Sequence, residues 1–491
     1  NEVNLDALRK NSPRLKLATE IADRHRFLHW ELEFADLFAE RGGFDLILGN
    51  PPWIKVEWKE QDVLSDHQPL FVVKNFTAPQ TREVRQETLK NPGIYQLYLE
   101  EYVESAGMLN FLDAVQNYPD LKGVQTNLYK CFLPQAWTVA NGTGVSAFLH
   151  PEGVYNDPRG GILRNALYPR LRKYFQFQNE KKYFEIGNRE RFALNVYSNR
   201  ITDSFEAIAN IVDVRTVDDC YNAHSIGVVP GIKDDNDEWS VDGHPDRILV
   251  IGEQELRLFA KIFDGSENAN KARLPSLHAK QFVEVLGAFA DSSQTIGRLE
   301  DRIFATELWH ETNAQNDGAI FRNVHFPEGL LDTIYSGPHI GVANPLFQAS
   351  KRICETHRAF DSIDLTNIND TYIQRINYSL ACSQEDYIRR VPTTPWGEKY
   401  TNGYRLVARK MLNLPGERTL ISAIIPPESG HINGLFGFVI NDIKLQILLA
   451  GCFASIPFDF FIKVMGKSNL YDDNAGKLPV LDDTHVADYI V

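Results

Sequence analysis

The sequence predicts an α/β fold: an open sheet over about the first 200 residues, followed by a mixed α+β region. Two observations predict it. Short apolar runs of strand length, such as Phe44-Asp45-Leu46-Ile47-Leu48 and Val145-Ser146-Ala147-Phe148-Leu149, alternate with stretches of helical composition. Beyond residue 200 that alternation gives way to short strand-like segments and Pro/Gly turns. At 491 residues the chain is also too long for one ordinary domain. The boundaries drawn from the pattern are 1–200 and 201–491.

The elements follow in order. Residues 4–40 interleave apolar and charged side chains without a glycine and read as helical, with Gly42-Gly43 ending them. The run 44–48 is closed by Gly49 and the Asn50-Pro51-Pro52 breaker, as suits a parallel strand covered by helices on both faces. Asn127 to Ala140 reads as a helix with Asn127 as N-cap, stopped by Asn141-Gly142-Thr143-Gly144. Val145 to Leu149 is a second buried strand. A helix over Ile162–Lys173 comes after Gly160-Gly161, and Phe175-Gln176-Phe177 and Phe192 to Tyr197 are two further strands. An acidic loop near 233–239 and a helix over 252–264 open the second region, where Ser336-Gly337-Pro338-His339 and Ile425-Pro426-Pro427 mark turns.

Composition narrows the class. A hydrophobic content of 43% and a charged content of 24% suit a soluble globular protein. No apolar run reaches membrane-spanning length and no signal-peptide pattern opens the chain, so no membrane partner and a cytoplasmic location are expected. Cys131, Cys220, Cys354, Cys382 and Cys452 are scattered without a CxxC pair, which argues against a disulfide framework and suits a reducing compartment. The net charge of −14 counts mildly against a nucleic-acid partner, but contact needs only a local basic surface. Arg170, Arg172, Lys173, Lys181, Lys182, Arg189 and Arg191 are such a local concentration.

One motif carries chemistry. An exocyclic aromatic amine is a poor nucleophile because its lone pair is delocalised into the ring. Two acceptors aimed at its hydrogens let the nitrogen turn toward tetrahedral geometry as it attacks. The side-chain oxygen of Asn50 can be one acceptor and the carbonyl of Pro51 the other. Two consecutive prolines fix φ and remove two backbone donors, leaving that carbonyl at a stiff turn. Trp53 then offers a ring for an extruded base. All four residues follow a strand end, where open α/β sheets bind ligands. An Asn-Pro-Pro tripeptide by itself is a common loop breaker; the apolar strand, Gly49 and Trp53 around it favour function.

Gly43-Phe44-Asp45-Leu46-Ile47-Leu48-Gly49-Asn50-Pro51-Pro52-Trp53 resembles the catalytic motif of gamma-class adenine-N6 DNA methyltransferases, and within them the Eco57I-like restriction-modification and phage-defence methylases. Asn127-Leu128-Tyr129-Lys130-Cys131-Phe132 is similar to the segment that follows in that family. So are Gly144 to Pro151, Leu163-Arg164-Asn165-Ala166-Leu167, and Tyr183-Phe184 ahead of the strand at 192–197. Together these cover about 40–200 in the family's order.

The resemblance implies a partial Rossmann-like methyltransferase sheet in 1–200 and a target-recognition, DNA-binding region in 201–491. It implies methyl transfer from S-adenosyl-L-methionine to a flipped adenine of double-stranded DNA, with other restriction or defence subunits as further partners. Asn50, Pro51, Pro52 and Trp53 would be catalytic. Trp53 and Phe184 would stack on the two faces of the base, and Asn50 and Pro52 would face the cofactor.

The family's glycine-rich cofactor turn precedes the Pro-Pro motif, yet residues 1–41 contain no glycine. With the chain starting at Asn1, the expectation is a truncated piece or a natural split subunit that binds S-adenosylmethionine weakly or not at all alone. In the second region, Tyr404 to Lys410 and Glu417 to Pro426 resemble recurrent stretches of target-recognition regions. Arg405, Arg409 and Lys410 are the expected phosphate or guanine contacts there, against the alternative of a strand with solvated charges. His310, Glu311, His325 and His339 lack metal-site spacing, so no metal is expected. Two readings compete with DNA methylation: a protein-glutamine or RNA methyltransferase, and a catalytically silent DNA-binding subunit.

Overall fold

The computed structural model describes all residues except 1–3, 75, 77, 189, 223–226, 291, 293, 357, 415 and 482–491. Arg189 of the basic run therefore lies outside the described residues. The chain divides into two compact units, residues 1–207 with 250–253, and residues 208–249 with 254–491.

In the first unit the glycine-free N-terminal stretch forms four helices: Leu5–Asn11, Pro13–His25, Trp30–Glu33 and Ala35–Arg41. Ser12 separates the first two and accepts a hydrogen bond from Leu15 N, with Pro13 at the first helical position. The rings of Trp30, Phe34 and Phe38 close on Phe44, with centroids 5.7, 5.2 and 5.8 Å from it. That aromatic cluster fastens the helices to the first strand.

The main sheet has strands β1 (Phe44–Gly49), β2 (Ala140–Pro151), β3 (Leu171–Gln178), β4 (Arg191–Ser198), β5 (Phe205–Ile211) and β6 (Leu249–Ile251), in the order β1-β2-β4-β3-β5-β6. The pair β1/β2 is parallel, whereas β2/β4 and β3/β4 are antiparallel. The fold is thus mixed α/β with a central mixed sheet.

Several sequence expectations are corrected. β1 stands at the sheet edge, and Leu46 and Leu48 are 58% and 68% exposed, so helices do not cover it on both faces. An apolar run of this length looks the same in a sequence whether its neighbours are present or not. The segment Asn141–Gly144, expected to stop the preceding helix, already belongs to β2, which is bulged against β1. A Cβ on Gly144 would lie 2.7 Å from the Phe44 carbonyl oxygen, so the glycine marks a close backbone approach. The helix expected over 162–173 ends at Leu167, where Tyr168–Arg170 tightens into a 3₁₀ turn holding Pro169 before β3 begins. Between β1 and β2 lie helices Glu60–Ser65, Leu70–Val73, Ala78–Thr88 and the 21-residue Pro92–Leu112, none of them assigned from sequence.

The second unit is built from short strands. β7 (Ile303–Thr306), β8 (Ile320–His325), β9 (Ile334–Tyr335), β10 (Gln348–Ser350), β11 (Phe360–Ser362), β12 (Ile376–Leu380), β13 (Arg405–Arg409), β14 (Ser422–Ile425), β15 (Gly430–His431) and β16 (Leu435–Ile440) form one four-stranded sheet, β14-β13-β16-β7, and three two-stranded pairs. Its core gathers Trp309, Ile320, Ile334, Tyr378, Tyr387 and Tyr400. The helix expected over 252–264 is present as Glu253–Phe259 continued by a π-turn, Ala260–Asp264, and stopped by Gly265. Among the described residues no single helix is long and apolar enough to cross a membrane; the adjoining helices Ile443–Ala454 and Ile456–Val464 meet at a 68° bend.

Candidate active site

The motif Asn50-Pro51-Pro52-Trp53 leaves the C-terminal end of β1. Asn50 and Pro52 are exposed, Pro51 is buried and Trp53 is half-buried. The chain after it is clamped at once. Leu128 N donates to Ile54 O at 2.9 Å, Val56 N to Thr126 O at 3.3 Å, and Lys55 bridges Asn127. Asn127 sits at the N-cap position of helix Leu128–Val139, but its side chain does not cap, and its buried Oδ1 has no partner.

Trp53 is fixed from two sides. Its Nε1 donates to the Leu149 carbonyl of β2 at 3.2 Å. Its ring lies 4.8 Å from Phe184, tilted by 53°, and 6.1 Å from Phe192. Phe184 in turn meets Phe192 edge-on at 4.8 Å. The two rings expected to flank a base are therefore brought together, but in mutual contact. A base held between them needs two van der Waals spacings, about 7 Å in all, so the rings must part by some 2 Å to admit one.

The segment carrying Phe184 is held by a residue that sequence reasoning missed. Asn179, fully buried at the end of β3, donates from Nδ2 to Phe184 O at 2.9 Å and Ile186 O at 3.0 Å, and accepts from Phe184 N at 3.1 Å. Lys182 turns the chain in the left-handed conformation (φ 53°). Nothing in a lone Asn-Glu-Lys-Lys stretch separates such a clamp from a solvated turn.

Behind Leu149 lies a buried polar network. His150 stacks on Tyr129 at 5.1 Å, bonds through Nε2 to the Tyr197 hydroxyl at 2.9 Å, and lies 2.8 Å from the Pro151 carbonyl through Nδ1. Tyr155 donates to Asn195 Oδ1 at 2.6 Å. Burial lowers the His150 pKa to about 4 and holds the ring neutral near pH 7. These bonds stiffen the strand end that holds Trp53.

The cations expected to touch DNA are placed otherwise. β13 is an inner strand, flanked by β14 and β16, and Arg405 on it is 0% exposed. Its guanidinium donates to Pro426 O and, at 2.9 Å, to Ser429 Oγ, and lies over the Tyr400 ring. Arg409 donates to Ile340 O at 2.9 Å and lies over Phe347; Lys410 pairs with Glu307 over Tyr471. Positions four apart in a strand share one face, and here it is turned inward. The contact role expected for Arg405 is corrected accordingly, whereas Arg409 and Lys410 are half-buried and engaged with Ile340 and Glu307.

The upstream basic run is also largely engaged. Arg170 covers Trp137 and donates to Ala166 O, Arg172 donates to Thr202, Lys173 pairs with Glu206, and Arg191 with Glu152; Lys182 is exposed. His325 pairs with Asp332 and Glu311 with Arg322, while His339 is buried beside Ser336 and Ser350.

The residues present do not complete a cradle for S-adenosylmethionine. Asn50 and Pro52 stand at the end of β1, but no glycine turn exists in residues 1–41 and β1 has no neighbour on its outer side among the described residues.

A family model described as Eco57I restriction-modification methylase matches residues 1–107, a span that contains Asn50 to Trp53. No curated protein matches the chain. Among solved structures, the type IIL restriction-modification enzyme MmeI in complex with DNA aligns at 9% identity and TM-score 0.30, over 73% of this chain and 42% of that one. The type IIG restriction endonuclease BpuSI aligns at 10% and 0.28, over 81% and 46%. The DrdV–DNA complex aligns at 10% and 0.29, over 92% and 44%. Superpositions this loose carry no argument about fold or function. The chain spans less than half the length of each of these three structures.

Proposed function

We propose that this chain carries the base-handling part of a site-specific DNA adenine-N6 methyltransferase of a restriction-modification or phage-defence system. The observation that carries the reading is the motif at the end of β1, with Trp53 bonded to Leu149 O and packed on Phe184. The match of residues 1–107 to a restriction-modification methylase model supports it from the sequence side.

The chain's own residues would act as follows. Phe184 moves off Trp53 and the extruded adenine takes its place on the ring. Asn50 Oδ1 and the Pro51 carbonyl accept the two amine hydrogens, steering the nitrogen lone pair out of conjugation. S-adenosyl-L-methionine is the methyl donor the resemblance implies. Because the residues described here do not build its cradle, the roles assigned stop at orienting the base. The unit containing most of 201–491 would serve target recognition through surfaces other than the buried Arg405.

Nucleoside mass spectrometry of DNA from cells expressing the full-length protein tests the reading. N6-methyladenine should accumulate. Methylated protein glutamine or RNA with unmodified DNA would overturn it. Unmodified DNA together with retained DNA binding would favour a silent DNA-binding subunit.

A further inference from the structure

A cleft of about 1020 Å³ next to the motif has no part in the roles assigned above. Its volume is at the upper end of ligand clefts, about 300–1,000 Å³. Its walls include Trp58 from the chain just past the motif, Gln125 and Lys130 from the segment that clamps it, and Asn156, Asp157 and Arg159 from the short helix Gly153–Asn156 and the turn after it. The bonds of Ile54 and Val56 to Leu128 and Thr126 tie these walls to the motif. Trp58 is five residues beyond Trp53, at most about 18 Å of extended chain.

The charges in the cleft are unequally committed. Lys130, buried, donates to Asp157 Oδ2 at 3.3 Å and to Gln125 O at 3.4 Å. Asp157 is neutralised by that ammonium, and its Oδ1 accepts the Arg159 backbone N–H at 2.9 Å. Glu57 on the same wall is paired with Lys55, and Asp113 accepts from the Thr126 hydroxyl. Arg159 is exposed, and among the described residues its guanidinium has no hydrogen-bond or ion-pair partner. Trp58 is held edge-on to Tyr98 at 5.5 Å and Tyr102 at 5.2 Å, so its ring is fixed in place.

We propose that this cleft holds the nucleotide flanking the flipped adenine on the same DNA strand, with its phosphate on Arg159 and its base against Trp58. This rests on the adenine reading and extends it. Extruding a base turns its nucleotide about the backbone, and a phosphate beside it is favourably held by a guanidinium at the site. A single uncommitted guanidinium matches one phosphate. A fixed indole matches a base face of any sequence, and the exposed amides of Gln125 and Asn156 can meet its edge.

The test uses the full chain without methyl donor and a fluorescein-labelled oligodeoxyadenylate of about 12 nucleotides, with affinity read by anisotropy from about 50 to 200 mM salt. Arg159→Gln should weaken binding several-fold and reduce the salt slope by about 0.7, the share of one single-strand phosphate. Arg159→Lys should keep the slope. Trp58→Leu should weaken binding about tenfold with the slope unchanged, and Trp58→Phe should restore most of it. Wild-type affinity and slope in both Arg159→Gln and Trp58→Leu, or no binding by the wild-type chain, would overturn the proposal. No methyl transfer enters the measurement, so this failure leaves the methylation reading standing, and the failure of that reading is seen separately in the nucleoside products.

Discussion

Trp53 and Phe184 lie ring to ring, 4.8 Å apart and 53° off parallel, with the Trp53 indole N–H committed to the Leu149 carbonyl. The tryptophan is the anchored partner and the phenylalanine the one on a loop. Opening a base-sized gap therefore falls to the Phe184 segment. A double-mutant cycle of Trp53→Ala and Phe184→Ala in denaturant unfolding should give a coupling of about 0.5–1.5 kcal/mol. Additive single changes would mean the contact contributes nothing.

Asn179 is the clamp on that loop. Asn179→Ala removes three hydrogen bonds to the 184–186 backbone and leaves buried polar groups unpaired, a cost of about 1–3 kcal/mol. Thermal unfolding should register the loss, and hydrogen exchange should show faster exchange at Phe184 N than in the wild type. Unchanged exchange there would remove Asn179 from the loop's support.

Four of the buried histidines set a pH dependence. Burial lowers His150, His278 and His339 to about 4; burial and the nearby Arg405 charge lower His431 to about 3. Each folded-state value lies below the unfolded value of about 6.5. As pH falls through 6.5 the unfolded chain takes up protons that the folded chain refuses, so stability drops between about 6.5 and 4. Unfolding midpoints should fall steadily over that range, with a shallower fall in His150→Gln. A flat profile from pH 7 to 5 would contradict it.

Arg405 is a buried cation with Nε and Nη1 unpartnered. Arg405→Ala should destabilise the second unit by about 2–5 kcal/mol, because the Ser429 hydroxyl loses its donor, the Pro426 carbonyl keeps only the Ser429 hydroxyl, and a space opens beside Tyr400. Arg405→Met should recover much of that loss. Chemical denaturation measures both. DNA affinity of the folded Arg405→Met variant should match the wild type in salt slope, whereas a slope reduced by about 0.9 would restore Arg405 as a phosphate contact.

What the sequence revealed follows from the range of the interactions involved. β1, the helix Leu128–Val139 and β4 were legible because apolar runs and breakers are local signals. The same local view could not tell an edge strand from a central one, and so misjudged Leu46 and Leu48. It read Gly142 and Gly144 only as a helix stop, although Gly144 is set by the approach of Phe44 from about 100 residues away. Arg405 and Arg409 looked solvent-facing because burial of a cation depends on partners such as Ser429, Tyr400 and Ile340 that only the fold supplies. The motif residues and Phe184 could be named from sequence. Asn179, which holds Phe184, could not.

On the proposed reading, Asn50 orients an adenine amine for methylation. The most direct test is Asn50→Ala in the full-length protein, with methyl incorporation into DNA and DNA affinity measured side by side. Asn50 is exposed at a strand end, so the fold should tolerate the change. Methylation should fall by at least about 10²-fold with affinity retained. Methylation at the wild-type rate in Asn50→Ala would contradict it.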